Sequence, residues 1–196
     1  SIFISCCWDV STDSGAVGDT VTKDKAPKFS GESEVGSKVK LTINDVDYST
    51  TANEDGEWLI AIPSSDNLPD GDYNYSVEII DVAGNKKVIE NTITIDTTTE
   101  VTAEMISDTG SSNTDGITQS KTPSFQGKLE IGSSITITIG THTYSVEDGI
   151  LVEGDGTWAF TMPTADALND GTYNWSVRTV DAAGNVGTAT GEITVD

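Results

Sequence analysis

The sequence predicts an all-β chain folded as two tandem β-sandwiches, and three observations carry that prediction. The chain is written twice: Pro27-Lys28-Phe29-Ser30-Gly31 returns as Pro123-Ser124-Phe125-Gln126-Gly127, and Asp55-Gly56-Glu57-Trp58 as Asp155-Gly156-Thr157-Trp158. The offset is 96 residues at the proline and 100 at the tryptophan, because the second copy carries an insertion of four residues around positions 148–153. A repeat of that length is a domain, not a solenoid turn. Within each copy, apolar and polar residues alternate at the period of a strand buried on one face. No segment sustains a helical period, and only single helical turns are expected, at 64–68 and 164–168.

Each copy supplies about seven strands. In the second copy they are expected at 101–106, 122–128, 134–140, 142–147, 157–162, 172–181 and 187–195, lettered A, B, C, C′, E, F and G. Strand C turns Val39, Leu41 and Ile43 inward, and Ile135, Ile137 and Ile139 in the second copy. Strand E does the same with Trp58, Ile60 and Ile62, and with Trp158, Phe160 and Met162. Strand F buries Tyr73, Tyr75, Val77 and Ile79, then Tyr173, Trp175 and Val177, leaving Asn74, Ser76, Asn174, Ser176 and Arg178 outward. Alignment of Cys6 with Val101 puts Cys6, Trp8 and Val10 inward on the first strand A and Cys7 outward, so no bridge between the adjacent cysteines is expected. Tyr73 and Tyr173 follow Asp-Gly at the start of strand F, where the tyrosine corner of an immunoglobulin-like sandwich sits. The expected architecture is two tandem immunoglobulin-like β-sandwich domains, residues 1–96 and 97–196, without the paired cysteines of antibody domains.

Composition narrows the partners. With 10 Lys and Arg against 32 Asp and Glu, the formal charge is −22. Such a surface repels nucleic acid and anionic membranes and attracts cations. No apolar run is long enough for a membrane span. Both copies are cysteine-free beyond Cys6 and Cys7, so neither a disulfide scaffold nor a zinc site is encoded. The chain opens at Ser1 without a signal peptide and stops on a strand-like segment, as expected of a piece of something longer. Its opening Ser1-Ile2-Phe3-Ile4-Ser5 has no counterpart in the linker Asp96-Thr97-Thr98-Thr99-Glu100 and is atypical.

Strands that alternate in direction send successive loops to alternate ends of a sandwich. The A–B, C–C′ and E–F connections share one end with the close of G; the B–C, C′–E and F–G loops share the other with the start of A. Asp96 therefore leaves domain 1 toward loops of domain 2 that hold Glu130, Asp148, Glu153, Asp155 and Asp181-Ala182-Ala183-Gly184-Asn185. Converging carboxylates repel one another unless a positive charge lies among them. Ca²⁺ suits such a set, since it takes roughly six to eight oxygens in irregular geometry, whereas Mg²⁺ demands a stricter octahedron and soft metals want His or Cys. The expected ligands are Asp96, a Thr97 or Thr98 carbonyl, Asp155, Asp181 and the Asn185 region; Asp55, Asp81 and Asn85 form the equivalent first-copy set. The same residues have an ordinary reading: Asp-Gly is turn chemistry at Asp55, Asp70, Asp155 and Asp170, and Asp81 or Asp181 can close an Asx-turn. Neither an EF-hand loop nor a Gly-Gly-x-Gly-x-Asp nonapeptide is present. The polar A–B segments, 13–25 and 108–121, read as solvated loops, with a second ion through Asp108 and Asp115 (Asp13 and Asp19 in the first copy) as the alternative.

A larger pattern joins these motifs. Pro-x-Phe-x-Gly, Glu-x-Gly-Ser at Glu34 and Glu130, Asp-Gly-x-Trp, Leu-x-Asp-Gly-x-Tyr and Asp-x-Ala-Gly-Asn closing on Ile/Val-Asp occur in that order in both copies. The ordered set, covering residues 9–196, resembles the bacterial Ig-like repeats of giant type I-secreted (RTX-type) surface adhesins. The resemblance implies extender repeats whose inter-domain joints are clamped by Ca²⁺. Two departures stand out: Asp24 lies where the second copy has Ser120, and Ser1 lies where a linker would place an aspartate.

The function expected is a structural stalk of a large bacterial cell-surface adhesin, serving adhesion or biofilm formation, secreted and extracellular. Its partners are neighbouring Ig-like repeats of the same chain, with no nucleic acid, no membrane insertion and a monomeric fragment. The alternative is a ligand-binding adhesion module that contacts a host or surface receptor. Such a module should carry an idiosyncratic loop, and the one candidate is the acidic, glycine-containing insertion at 147–154. No enzyme is expected: His142, the single histidine, has no counterpart in the first copy, and no nucleophile elbow or oxyanion motif accompanies it.

Overall fold

The structure, a computed structural model, describes residues 5–8, 13–109, 112 and 114–196, with residues 5–8 described by their backbone. The chain divides into two compact units, Ser1–Thr97 with Ala182–Gly184, and Thr98–Asp181 with Asn185–Asp196. Each is a sandwich of two sheets.

In the first unit, β1 (Ser5–Trp8), β3 (Lys28–Glu32) and β6 (Glu57–Ala61) form one sheet in the order β1-β3-β6. The other sheet has the order β2-β8-β7-β4-β5, from β2 (Val21–Thr22), β4 (Lys38–Ile43), β5 (Val46–Thr51), β7 (Gly71–Ile80) and β8 (Lys86–Ile95). In the second unit, β9 (Glu104–Met105), β11 (Ser124–Lys128), β14 (Leu151–Val152) and β15 (Thr157–Thr161) give the order β14-β15-β11-β9. Facing them, β10 (Ile117–Thr118), β12 (Ser134–Ile139), β13 (His142–Tyr144), β16 (Gly171–Val180) and β17 (Val186–Val195) give β10-β17-β16-β12-β13.

The alternation places the core as expected, except that Tyr73, Tyr173 and Trp175 of the long strands, expected to be buried, are half-buried at its edge. Val39, Leu41 and Ile43 are buried with Val77 and Ile79 in the first unit; Ile135, Ile137 and Ile139 with Val177 in the second. Trp58 and Trp158 are 4% and 2% exposed, each within the core of its own unit. Phe29 meets Tyr75 edge-on at 4.8 Å, and Phe125 meets Trp175 at 5.2 Å, the spacing at which aromatic pairs add to area burial. Both tyrosine corners form: the Tyr73 hydroxyl donates to Pro69 O (2.8 Å) and the Tyr173 hydroxyl to Asn169 O (3.0 Å). The expected single helical turns are 3₁₀ turns at Ser64–Asp66 and Thr164–Asp166.

Three differences from the sequence reading have local causes. The A–B segments contain a two-residue strand each, β2 and β10, which run parallel to the last strand of their units through Val21↔Thr94 and Ile117↔Thr194. Two residues are too few for a period-two signal to register. Strand A of the second unit is shorter than 101–106, reduced to β9 and an isolated bridge between Val101 and Leu129. Strand C′ stops at Tyr144 instead of 147 because Ser145 starts a capping box: Ser145 N and Oγ both donate to Asp148 Oδ2, at 2.9 and 2.8 Å. The insertion then buries Ile150 (1% exposed) and carries β14 across to pair with β15. In the first unit β5 stays on β4 for all six of its residues. The expected orientations of Cys6, Cys7, Trp8 and Val10 lie outside the described side chains, and the opening residues Ser1–Ile4 outside the described residues.

Candidate metal centre

The Asp-x-Ala-Gly-Asn loop folds as a clip in both copies. Asp181 N donates to Asn185 O (3.2 Å), Asn185 N to Asp181 Oδ1 (2.8 Å), and Asn185 Nδ2 to Asp181 Oδ2 (3.0 Å). Asp81 and Asn85 repeat the pattern at 3.0, 2.7 and 2.7 Å. The ordinary Asx-turn reading is thus realised, with the side-chain amide added. In the first copy the Asn85 side chain is the main influence holding the Asp81 carboxyl below the usual aspartate range, against an opposing push from burial. Asp81 and Asp181 are each only 6% exposed, an unusual place for a charge without dedicated partners.

The clip does not exhaust the acceptors. A carboxylate has about four lone-pair sites, and Asn185 engages one on each oxygen of Asp181. Within the second unit, Glu130 and Asp181 offer carboxylate oxygens that lie within 4.8 Å of one another. The Thr98 carbonyl is at the same end, accepting from Asn185 Nδ2 at 3.4 Å. Two carboxylates this close repel by about 3–4 kcal/mol in a surface-like dielectric. An all-oxygen donor set with excess negative charge is the chemistry a hard divalent cation fits.

The remaining expected ligands are placed as follows. Asp96 continues β8 in the first unit, its N donating to Thr22 O at 2.9 Å, and is half-buried. Asp155 sits in the β14–β15 turn, where Gly156 O accepts from Leu129 N (2.9 Å), so this turn shares an end with the Glu130 loop. A Cβ on Gly156 would lie 2.4 Å from Leu129 O, and its φ of +80° favours glycine as well, which explains Asp-Gly at this position. The Asp155 carboxylate folds back on its own turn, accepting from Thr157 Oγ1 (2.6 Å) and Thr157 N (3.0 Å), and the hydroxyl lowers its pKa first among the causes. Asp55 is exposed in the equivalent turn, where Asn53 Oδ1 takes the amides of Asp55 and Glu57. The structure thus brings Thr98, Asp181 and Asn185 to one end together with Glu130, which the sequence reading named among the loop acids there but left out of the ligand set. The signal available was the Glu-x-Gly-Ser turn, read as a fold motif only.

The A–B acids act as turn acceptors. Gly18 N donates to Asp13 Oδ2 (2.5 Å) and Gly116 N to Asp108 Oδ2 (3.0 Å), while Val21 N and Ile117 N reach Asp19 and Asp115. His142 is exposed on β13, with Nε2 4.0 Å from Asp166 Oδ1 and its ring stacked near Tyr144 at 6.4 Å. The Tyr144 hydroxyl donates to the other oxygen of Asp166 (3.0 Å), and burial followed by that bond raises its pKa.

Residues 5–97 and 98–196 each match the family model for the bacterial Ig-like domain. No match is found among curated protein sequences. Among solved structures, the chain is similar to a 1.5-MDa bacterial ice-binding adhesin, with 24% identity over 99% of this chain and 64% of that one and a TM-score of 0.48. It is also similar to a Ca²⁺-stabilized adhesin with which an Antarctic bacterium binds ice, with 24% identity over 100% and 49% and a TM-score of 0.41. Fibronectin(III)-like modules of Clostridium thermocellum CbhA share the fold, with 13% identity over 99% and 94% and a TM-score of 0.51. The chain spans 64% and 49% of the lengths of the two adhesin structures.

Proposed function

Since the chain belongs to the bacterial Ig-like domain family in two tandem copies, we propose that it is a pair of extender repeats from the stalk of a large bacterial surface adhesin, held outside the cell and stiffened by Ca²⁺ where the domains join. The observation that carries the cation is the Glu130–Asp181 pair, two carboxylates within 4.8 Å at the end of the second domain where its chain begins. Glu130, Asp181 and the Thr98 carbonyl would hold the ion, with Asn185 fixing the Asp181 carboxylate. Asp96, two residues before Thr98 in the chain, would add a carboxylate from the first domain and make the site a link between the two. Asp155 stays a candidate through its place at the same end; Asp55, Asp81 and Asn85 are candidates for the same role at the corresponding end of the first domain.

The protein's own part is to keep these oxygens aligned while the ion supplies the positive charge that offsets their repulsion. The Asp-x-Ala-Gly-Asn clip fixes the Asp181 rotamer before any ion arrives, so little ordering is left to oppose binding. An ion bound only when both domains contribute stabilises that arrangement by about 2.7 kcal/mol at a hundred times its Kd. Spacing, and not recognition, is the role favoured, because the insertion that distinguishes the copies is spent on the fold: it caps a 3₁₀ turn, buries Ile150 and adds β14 to a sheet.

The test is a Ca²⁺ titration followed by calorimetry on the two-domain chain, beside Glu130→Gln and Asp181→Asn variants. Saturable binding that either variant weakens at least tenfold supports the site. Heats equal to those of a Mg²⁺ control, unchanged by the variants, reduce the acidity to surface charge.

A further inference from the structure

Both domains carry an asparagine that the fold does not use. Asn74 and Asn174 occupy the same position on the long central strands β7 and β16, face the outer side of the five-stranded sheet and are exposed. Their sequence neighbours point the other way: Tyr75 is 6% exposed in the core, and Trp175 packs on Phe125. Among the described residues neither side-chain amide makes a hydrogen bond. Asparagine is a poor strand former, so its place inside a ten-residue strand in each copy has no account in propensity or bonding.

The residue two positions on supplies one. Asn74-Tyr75-Ser76 and Asn174-Trp175-Ser176 are Asn-x-Ser acceptor sequences with no proline between, and no other asparagine of the chain has serine or threonine at that spacing. The pair at i and i+2 lies on one face of the strand. Beside each asparagine the neighbouring strand ends in the C–C′ turn, at Asn44-Asp45 (φ +52° and +61°) and at Gly140 (φ +59°), and the sheet opens into a groove. The groove by Asn74 measures about 790 Å³ between Thr42, Asp45, Ser76 and Thr92; the one by Asn174 about 590 Å³ between Thr138, Ser176, Thr190 and Glu192. Both are open depressions of the sheet face, in which hydroxyl, amide and carboxylate groups stand beside an aromatic residue, Tyr73 in one and Trp175 in the other, a mixed surface along which a sugar can lie.

We propose that Asn74 and Asn174 are sites of N-glycosylation, each carrying a sugar that lies along the outer face of its sheet. The co-reactant is a sugar bearing a diphosphate leaving group at its anomeric carbon. The asparagine nitrogen forms a bond to that carbon, the carbon–oxygen bond to the diphosphate breaks, the diphosphate leaves with the electron pair, and the amide gives up one proton to the transferase. Strands β7 and β16 are bonded on both edges in the folded domain, so the acceptor segment is free to enter a transferase only before its strand is paired. The sugar is then added to the unfolded chain and settles in the groove as the sheet closes.

The experiment is peptide mass spectrometry of the full-length protein purified from the cells that make it. Peptides containing Asn74 and Asn174 should carry a sugar mass, lost in Asn74→Gln and Asn174→Gln, lost in Ser76→Ala and Ser176→Ala, and kept in Ser76→Thr and Ser176→Thr. A single-hexose increment identifies a nucleotide-sugar donor, and an oligosaccharide increment a polyprenyl-diphosphate donor. Recovery of both peptides wholly unmodified, or sugar on serine or threonine only, overturns the proposal. Circular dichroism of the same variants, all at exposed or half-exposed sites, separates loss of sugar from loss of fold.

Discussion

Asn185 grips Asp181 with two donors, its backbone amide on one carboxylate oxygen at 2.8 Å and its side-chain amide on the other at 3.0 Å. The pair is buried, at 9% and 6% exposure, so a carboxylate is held rigid where water cannot replace its partners. Removing one partner of such a bond costs the desolvation of the group left behind, about 1–3 kcal/mol. Asn185→Ala should therefore lower the stability of the second domain by that amount, read as a shift in denaturant midpoint at unchanged slope. A shift below about 0.5 kcal/mol on the same scale would show that the clip is incidental.

Gly127 is required by space and not by backbone angle. A Cβ there would lie 1.9 Å from Thr102 O and 2.9 Å from Trp158 Nε1, the two atoms that bond each other at 3.2 Å. Gly127→Ala should push strand A off its sheet and destabilise the second domain by about 1–3 kcal/mol, as overpacking does. Tryptophan fluorescence should shift to the red as Trp158 loses its bond; an unaltered spectrum and midpoint would contradict the packing described.

The cores are separate, Phe29 belonging to one and Phe125 to the other. Truncation of either to alanine should cost about 3–5 kcal/mol in its own domain. In calorimetry of chelated protein, Phe125→Ala should lower one of two transitions and leave the other in place. A single transition that moves as a whole would mean the domains do not unfold independently even without an ion.

Asp70, Asp81 and Asp155 are held below the usual aspartate range, chiefly by the Thr97 hydroxyl, the Asn85 amide and the Thr157 hydroxyl. With folded values below unfolded ones, the unfolded chain takes up protons first as pH falls. The stability they contribute is full above the unfolded value of about 3.9 and is lost as pH drops through the folded values. At high salt, where net repulsion is screened, thermal midpoints should fall with pH below about 4; midpoints that hold level or rise there would contradict these partnerships.

Most of the fold was legible because period-two alternation and the Asp-Gly-x-Tyr corner are local signals, and Tyr73, Trp58 and their repeats sit where those signals put them. What escaped was short or relational. The parallel strands at Val21 and Ile117 gain their pairing from a strand over seventy residues away in sequence, which no local pattern reports. The end of C′ at Tyr144 was hidden because Ser145 and Asp148 act through a reciprocal bond, while Val146 continues the apolar alternation. The candidate site was half legible: strand direction assigns Asp181 and Glu130 to one end, but which acid faces inward depends on side-chain bonding, and Asp155 turns back onto Thr157.

In the proposed stalk, calcium, and not the peptide linker, sets the relation of the two domains. Small-angle scattering of the two-domain chain in calcium and then in chelator tests it most directly, beside an Asp96→Ala, Asp181→Ala variant. The distance distribution should be narrow with calcium and broader with chelator, and the variant should be broad in both while each sandwich stays folded. A chelated wild type as extended and as narrowly distributed as the calcium-bound form would contradict it.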